Sequence, residues 1–206
     1  MSLMMKIKKI VRLPKTITLN IVFIFKNIYY ARNLLTIQPD CYKNIMIRPC
    51  TYNYVKKIVA LSRIMCDTRK LNFFDKIFLS ILGQKICFVL TSLEDKNEII
   101  GYSIYYFNRR DILEGTIHRG YIGVLPEYRG KGIGKNFNYL ILEHFAKCSK
   151  IRAVSSRVSL NNMASMKMHI NSGFLPIEHY YDFNMKEERE YLICDLTPYR
   201  MNTSLL

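Results

Sequence analysis

Val124-Leu125-Pro126-Glu127-Tyr128-Arg129-Gly130-Lys131-Gly132-Ile133-Gly134-Lys135 reads as a strand that runs into a glycine-rich turn and then into a helix. Ile122, Val124 and Leu125 supply a β-type apolar run, Pro126 stops it, and Ile133, Phe137, Leu140, Ile141 and Phe145 then recur at helical spacing. The first amides of a helix have no partner inside the helix, and the macrodipole adds about half a positive charge there. A phosphate satisfies both needs. Gly130, Gly132 and Gly134 let the backbone approach an oxyanion closely, and Arg129, Lys131 and Lys135 add positive charge around it.

Two other glycine loops fit worse. A nucleotide-triphosphate loop needs Ser or Thr after Gly-Lys, and Gly134-Lys135 is followed by Asn136; a dinucleotide loop wants glycine where Lys135 stands. The stretch instead resembles the acetyl-CoA loop of the GNAT N-acetyltransferases, whose pattern Gln/Arg-x-x-Gly-x-Gly/Ala is met by Arg129, Gly132 and Gly134. A second match to that family runs from Asn162 to Phe174, and weaker echoes extend the resemblance over residues 45–196.

The resemblance implies a GNAT acyl-CoA N-acyltransferase fold of the α/β class. Its sheet would be mixed and mostly antiparallel, with six to seven strands, about four flanking helices, and strands 4 and 5 splayed around the cofactor. It also implies chemistry: a primary amine attacks the thioester of acetyl-CoA directly in a ternary complex, with no metal. Under this reading the backbone at Val124 and Leu125 holds the pantetheine arm and polarises the thioester. The loop of Arg129, Gly130, Lys131, Gly132, Ile133, Gly134 and Lys135 takes the phosphates, and Asn162 either bonds the coenzyme or simply caps a helix.

His169 stands where the family usually has a tyrosine that protonates the leaving thiolate, so it is the candidate acid; a structural histidine is the competing reading. His118, six residues before Val124, is the candidate base, because its free pKa of about 6.5 suits removal of a proton from an amine. Strict alternation puts His118, Gly120, Ile122 and Val124 on one face of the strand, while a bulge would rotate the histidine away. Glu114 and Glu127 are acidic alternatives, and Tyr102, Tyr105, Tyr106, Tyr180 and Tyr181 either line an acceptor pocket or serve as β packing. On the helix after Asn162, the residues Asn162, Ser165 and His169 share a polar face, next to an apolar stripe of Met163, Met166 and Ile170.

With 206 residues, half of them hydrophobic, the chain can bury one full core. The organisation expected is a basic, apolar extension over residues 1–44 and an acetyltransferase domain over residues 45–200. The extension carries eight lysines and arginines against Asp40 alone, more than its share of the net charge of +15. It suits either an anionic membrane surface or packing on the domain. Cysteines at 41, 50, 66, 87, 148 and 194 show no paired spacing and read as reduced core residues. No convincing leader and no apolar run long enough to span a bilayer is seen, which points to the cytoplasm.

The coarse elements expected are strands at 45–48, 86–91, 99–107, 116–125, 154–159, 174–183 and 191–196, and helices at 54–62, from a cap at Asp67 or Thr68 to Gly83, from the glycines to about Cys148, and at 163–171. Residues Glu94 to Asn97 read as a hairpin turn. The acceptor expected is an amine on a small molecule, such as an amino sugar or nucleotide sugar, or on a protein; the positive charge suits an anionic or RNA-associated one. DNA is not expected as a partner, and a homodimer is compatible with the sequence. The alternative function is an acyl-CoA-binding or membrane-associated regulatory module without catalysis.

Overall fold

The computed structural model describes residues 14–65, 70–93 and 98–203. Its elements in order are α1 (Lys15–Ala31), β1 (Asp40–Tyr42), β2 (Ile45–Pro49), α2 (Tyr52–Met65), α3 (Phe73–Ile86), β3 (Cys87–Ser92), β4 (Ile99–Tyr106), α4 (Arg109–Glu114), β5 (Thr116–Val124), α5 (Ile133–Ala146), β6 (Ala153–Ser159), α6 (Met163–Ile170), β7 (Leu175–Asp182), β8 (Glu187–Asp195) and α7 (Thr197–Thr203). The strands form one sheet in the order β1-β2-β3-β4-β5-β6-β8-β7. Every pair is antiparallel except β5 with β6. The expected mixed α/β sheet is present, with eight strands among the described residues rather than six or seven.

β5 and β6 are in register only from Thr116 opposite Ala153 to Arg119 opposite Ser156. Beyond that, β5 continues alongside β4, and Arg157, Val158 and Ser159 of β6 stay paired with β8. The two strands therefore part, and a gap opens in the middle of the sheet. A bulge accompanies the parting: the register of β4 on β5 slips between Ile104 and Tyr105, so that Gly120 has no partner. A bulged residue bends its strand and rotates the residues after it relative to those before it.

Of the two readings of β5, strict alternation and a bulge, the structure has the bulge. Paired residues of an antiparallel ladder share a face, so His118, opposite Tyr106, lies with Tyr121, opposite Ile104; Arg119, opposite Tyr105, lies on the other face with Ile122, opposite Ser103. Ring contacts agree. His118 packs 5.0 Å from Tyr106, whereas the Arg119 Nε donates to the Tyr105 hydroxyl at 2.9 Å. His118 therefore does not share a face with Ile122 and Val124.

The described part of the extension, residues 14–44, holds helix α1, docked on the core, and strand β1. Ile24, Asn27 and Ala31 of α1 are buried, and Phe23 meets Phe78 of α3 at 5.4 Å and Tyr106 of β4 at 5.5 Å. Asn27 clamps the end of β4, accepting from the Phe107 N–H at 2.6 Å and donating to its carbonyl at 3.2 Å. Lys85 caps the other end of the helix by donating to the carbonyls of Ala31 and Arg32. Leu19, Val22, Phe25 and Tyr29 remain exposed on the outside of α1. Among the described residues, no helix is long and apolar enough to cross a membrane.

The second expected helix needs two corrections. Its cap is Asn72, whose side chain accepts from the N–H groups of Phe74 and Asp75 while Asp75 accepts from the Asn72 N–H, a reciprocal capping box. Asp67, Thr68 and the turn at residues 94–97 lie outside the described residues. Gly83 does not end the helix, which runs on to Ile86; it sits where α3 crosses the start of α2, and a Cβ there would stand 2.6 Å from the Cys50 carbonyl oxygen. The glycine is needed for close packing, not for termination. Of the cysteines described, Cys50, Cys87, Cys148 and Cys194 are buried and Cys41 is exposed, all as free thiols.

Candidate active site

The loop between β5 and α5 has the features that its sequence demands. A short 3-10 turn, Pro126–Tyr128, ends the strand, and Gly130 and Gly132 hold φ of 76° and 74°, the left-handed region that costs other residues about 1–2 kcal/mol. Gly132 is the N-cap of α5, with no side-chain cap. The Arg129 N–H is taken by the Pro126 carbonyl and the Lys135 N–H by the Gly132 carbonyl, at 3.1 Å each. Between them, the amides of Gly130, Lys131, Gly132, Ile133 and Gly134 donate to no carbonyl of the described residues. A Cβ added at Gly130, Gly132 or Gly134 would meet nothing within 4 Å. The loop is thus a cradle of open amides from Gly130 to Gly134.

Which main-chain groups face the gap is set by the ladder. The Leu125 N–H donates to the Ile100 carbonyl at 2.8 Å, and the Leu125 carbonyl accepts from the Tyr128 N–H at 3.0 Å. Both groups of Leu125 are spent inside the protein, so it offers nothing to the gap. In an antiparallel ladder alternate residues turn both groups the same way, and that bond beside the Gly101 and Val124 pair leaves Ile122 and Val124 turned away from β4. The Arg129 Nε donates to the Val124 carbonyl at 2.9 Å and so locks the loop onto the strand. The Val124 N–H and both groups of Ile122, a residue not picked out from the sequence, face the gap.

Lys131 leans 5.5 Å over the Tyr128 ring. A cavity of about 480 Å³ lies on this flank of the loop, lined by Lys131, Ile133 and Asn136 on one side and by Tyr42 to Ile45 on the other, with Glu127 at its wall. No β5 or β6 residue lines it, so it is separate from the gap.

His118 is buried at the base of the gap, 2% exposed. Its Nδ1 lies 2.7 Å from the Ser155 hydroxyl, and that hydroxyl donates to Asp111 at 2.6 Å. Asp111 also accepts from Thr116 at 2.7 Å. Because the Ser155 proton points at the carboxylate, Nδ1 of His118 is the donor in its own bond, and Nε2 carries the lone pair. Burial, assisted by Arg157, Arg189 and Arg119, lowers the ring pKa to about 3, so the free value of about 6.5 does not describe this position. Burial also raises the Asp111 carboxyl, against the pull of its Ser155 and Thr116 hydrogen bonds.

Asp111 and Ser155 escaped the sequence reading. They lie on α4 and β6, far from His118 along the chain, and only the parallel pairing of Ser155 with His118 brings them together. The one local clue was the pair Asn108 and Asp111, which forms a second reciprocal capping box.

On α6, the exposed Asn162 caps the helix by accepting from the Ser165 N–H at 3.0 Å. His169 faces the interior at 2% exposure, while Met163 and Ile170 are 71% and 43% exposed. Of the polar face expected on this helix only His169 is buried, with Ser165 half-buried and Asn162 exposed; of the apolar stripe, Met166 packs against the core while Met163 and Ile170 lie outside. Nδ1 of His169 lies 2.8 Å from the Ser165 carbonyl, an acceptor only, so Nδ1 bears the proton and Nε2 a bare lone pair. Burial, then Arg119, lowers this ring to about 3. In that state His169 has no proton at Nε2 to give to a leaving thiolate.

Tyr102 and Tyr105, at 1% and 0% exposure, are core packing. Glu114 is paired with Arg110 at 2.8 Å on the surface of α4, and Tyr181 is 44% exposed.

Comparison with known proteins matches this arrangement. No curated protein sequence matches the chain, but the family model for the acetyltransferase (GNAT) family matches residues 59–174. Among solved structures, a ribosomal-protein-S5-alanine acetyltransferase from Vibrio fischeri superposes with a TM-score of 0.62 at 16% identity, covering 79% of this chain and 99% of that one. A putative GNAT-family acetyltransferase from Bordetella pertussis gives 0.63 at 15%, covering 77% and 99%. A dodecameric spermidine N-acetyltransferase from Vibrio cholerae gives 0.60 at 14%, covering 77% and 97%. With the parted strands, the open amide loop and a family match over more than half its length, the chain belongs to the GNAT family of acetyltransferases.

Proposed function

We propose that the protein transfers the acetyl group of acetyl-CoA to a primary amine by direct attack. The observation that carries this reading is the row of open amides from Gly130 to Gly134 at the mouth of a gap in the sheet. The cradle would take the diphosphate, whose charge suits both the helix end and the open N–H groups. The outward groups of Ile122 and Val124 would hold the pantetheine arm as an added strand is held. Acetyl-CoA supplies the activated acyl group; the chain's own residues orient it and manage protons. Asn162, at the cap of α6, is a further candidate contact for the coenzyme.

His118 is the residue proposed to accept the amine proton, through water, at Nε2. Asp111 and Ser155 hold the ring in the tautomer that leaves Nε2 bare. With its pKa near 3, the ring stays neutral across the working range, so it acts by accepting a hydrogen bond and passing the proton on, not by titrating near neutrality. His118→Ala should lower kcat about a hundredfold, within the range usual for a positioned base, yet leave the shape of the pH profile between about pH 6 and 8 as it is in the wild type. A profile that loses an ionisation near pH 6.5 would contradict the tautomer account.

Thiol release from acetyl-CoA, measured over a panel of polyamines, amino sugars, nucleotide-linked amino sugars and peptides with free amino termini, tests the reaction and finds the acceptor. Release with one class confirms transfer. Tight acetyl-CoA binding with no release across the panel favours the alternative, a coenzyme-binding module without catalysis.

A further inference from the structure

Three side chains from three elements leave polar nitrogens sealed from solvent without a partner at the closed end of the gap: Nη1 of Arg119 on β5, Nδ2 of Asn138 on α5 and Nε2 of His169 on α6. Each residue is at most 3% exposed. Arg119 and His169 meet at one ring, with the Arg119 guanidinium 4.7 Å over Phe174 and the His169 ring 4.9 Å from it. The Arg119 Nη2 donates to the Asn138 carbonyl oxygen, and Nε to Tyr105. Buried polar groups are almost always satisfied, so an orphaned set of this size needs a reason.

The charge makes the need sharper. No carboxylate pairs with Arg119 among the described residues. The ionisable groups facing it are Tyr105 of β4, His169 of α6, Cys194 of β8 and Tyr199 of α7. Burial keeps all three shifted ones neutral at pH 7, with His169 near 3, Cys194 near 11 and Tyr199 near 12. His118, the preceding residue, points to the other face and is neutral as well. A buried guanidinium without a counter-ion is costly.

Position suggests what neutralises it. Arg119 is the last β5 residue paired with β6, so its side chain leaves the strand where the gap closes. Five residue steps of strand lead from it to Val124, a run of up to about 16 Å at the usual rise, comparable with an extended pantetheine arm. A coenzyme with its diphosphate on the loop and its arm along Ile122 and Val124 therefore brings its sulfur to this end.

We propose that Arg119, with Asn138 and His169 beside it, is the pocket for the coenzyme sulfur and holds it as the thiolate. The inference rests on the acetyl-CoA reading above. The amine nitrogen forms its bond to the carbonyl carbon, the carbon–sulfur bond breaks, and its electron pair leaves on sulfur opposite the guanidinium. The amine proton goes to water at His118, on the other face of the strand, and no acid is needed at the sulfur. The absence of a proton on Nε2 of His169 is then expected, because the leaving group is stabilised by charge instead.

The test compares CoA with desulfo-CoA, which lacks only the thiol, by calorimetric titration of the full chain from pH 6 to 9. A bound thiolate predicts that CoA gains on desulfo-CoA as pH rises toward the free thiol pKa, by at least tenfold in total, and then levels off. Arg119→Gln should abolish the gain and Arg119→Lys should restore part of it. Equal pH dependence of the two ligands on the wild-type protein overturns the proposal whether or not the variants fold. Binding of neither ligand overturns the coenzyme reading beneath it, and this inference with it.

Discussion

Gly132→Val is expected to weaken acetyl-CoA binding by a hundredfold or more while lowering the melting temperature by only a few degrees. The two effects separate because a Cβ at this position touches no protein atom within 4 Å. Its cost to the fold is then limited to the left-handed backbone at φ 74°, about 1–2 kcal/mol for a residue other than glycine. The new side chain enters open space within the row of open amides, beside the proposed position of the diphosphate. A valine there removes close approach and twists the amide row, so charge-assisted hydrogen bonds are lost together. Calorimetric titration and thermal melts on the same sample measure both sides. Unchanged affinity with a large loss of stability would mean that the loop is a structural turn.

A steep loss of stability between pH 6.5 and 4.5 is the second large effect. Burial holds His118 and His169 near 3 and His144 near 4, against about 6.5 in the unfolded chain. A lowered pKa means that the folded state binds fewer protons than the unfolded state between the two values. Stability is therefore intact above pH 6.5 and falls as pH drops through this window. At pH 5 each ring costs up to about 2 kcal/mol, which together is comparable with the whole stability of a small domain. Asp111 works in the opposite sense lower down, since burial raises its carboxyl and the folded state takes that proton first. Denaturant titrations at half-unit steps should show the slope, and His144→Leu, remote from the gap, should reduce it by about a third. A stability that is flat from pH 7 to 4.5 would contradict the burial of these rings.

The parts of this molecule that were readable in advance are those written in neighbouring residues. The loop from Pro126 to Lys135 declares itself through glycine spacing, proline and the helical period of the residues after it, and the structure starts α5 at Ile133. Strand β1 is only three residues long and fully exposed, so it carries no apolar period. Helix α1 hid for the opposite reason: Ile24, Asn27 and Ala31 face inward while Leu19, Val22, Phe25 and Tyr29 face outward, and a helix apolar on both sides has no readable stripe. The site itself depended on two features with no local trace. One is the Gly120 bulge, which moved His118 and Arg119 to the faces opposite those implied by alternation. The other is the parallel pairing that carries Ser155 and Asp111 to His118. Arg119 looked like an ordinary strand residue until its burial without a carboxylate was visible.

The amides of Gly130, Lys131, Gly132, Ile133 and Gly134 form the proposed diphosphate cradle, and every other functional assignment depends on it. Residue-resolved hydrogen exchange on the wild-type chain measures them directly. They should exchange freely in the unliganded protein and be slowed at least tenfold by saturating acetyl-CoA, but not by pantetheine, which has no diphosphate. Exchange at these amides that is already slow without ligand, or that acetyl-CoA leaves unchanged, would contradict the assignment.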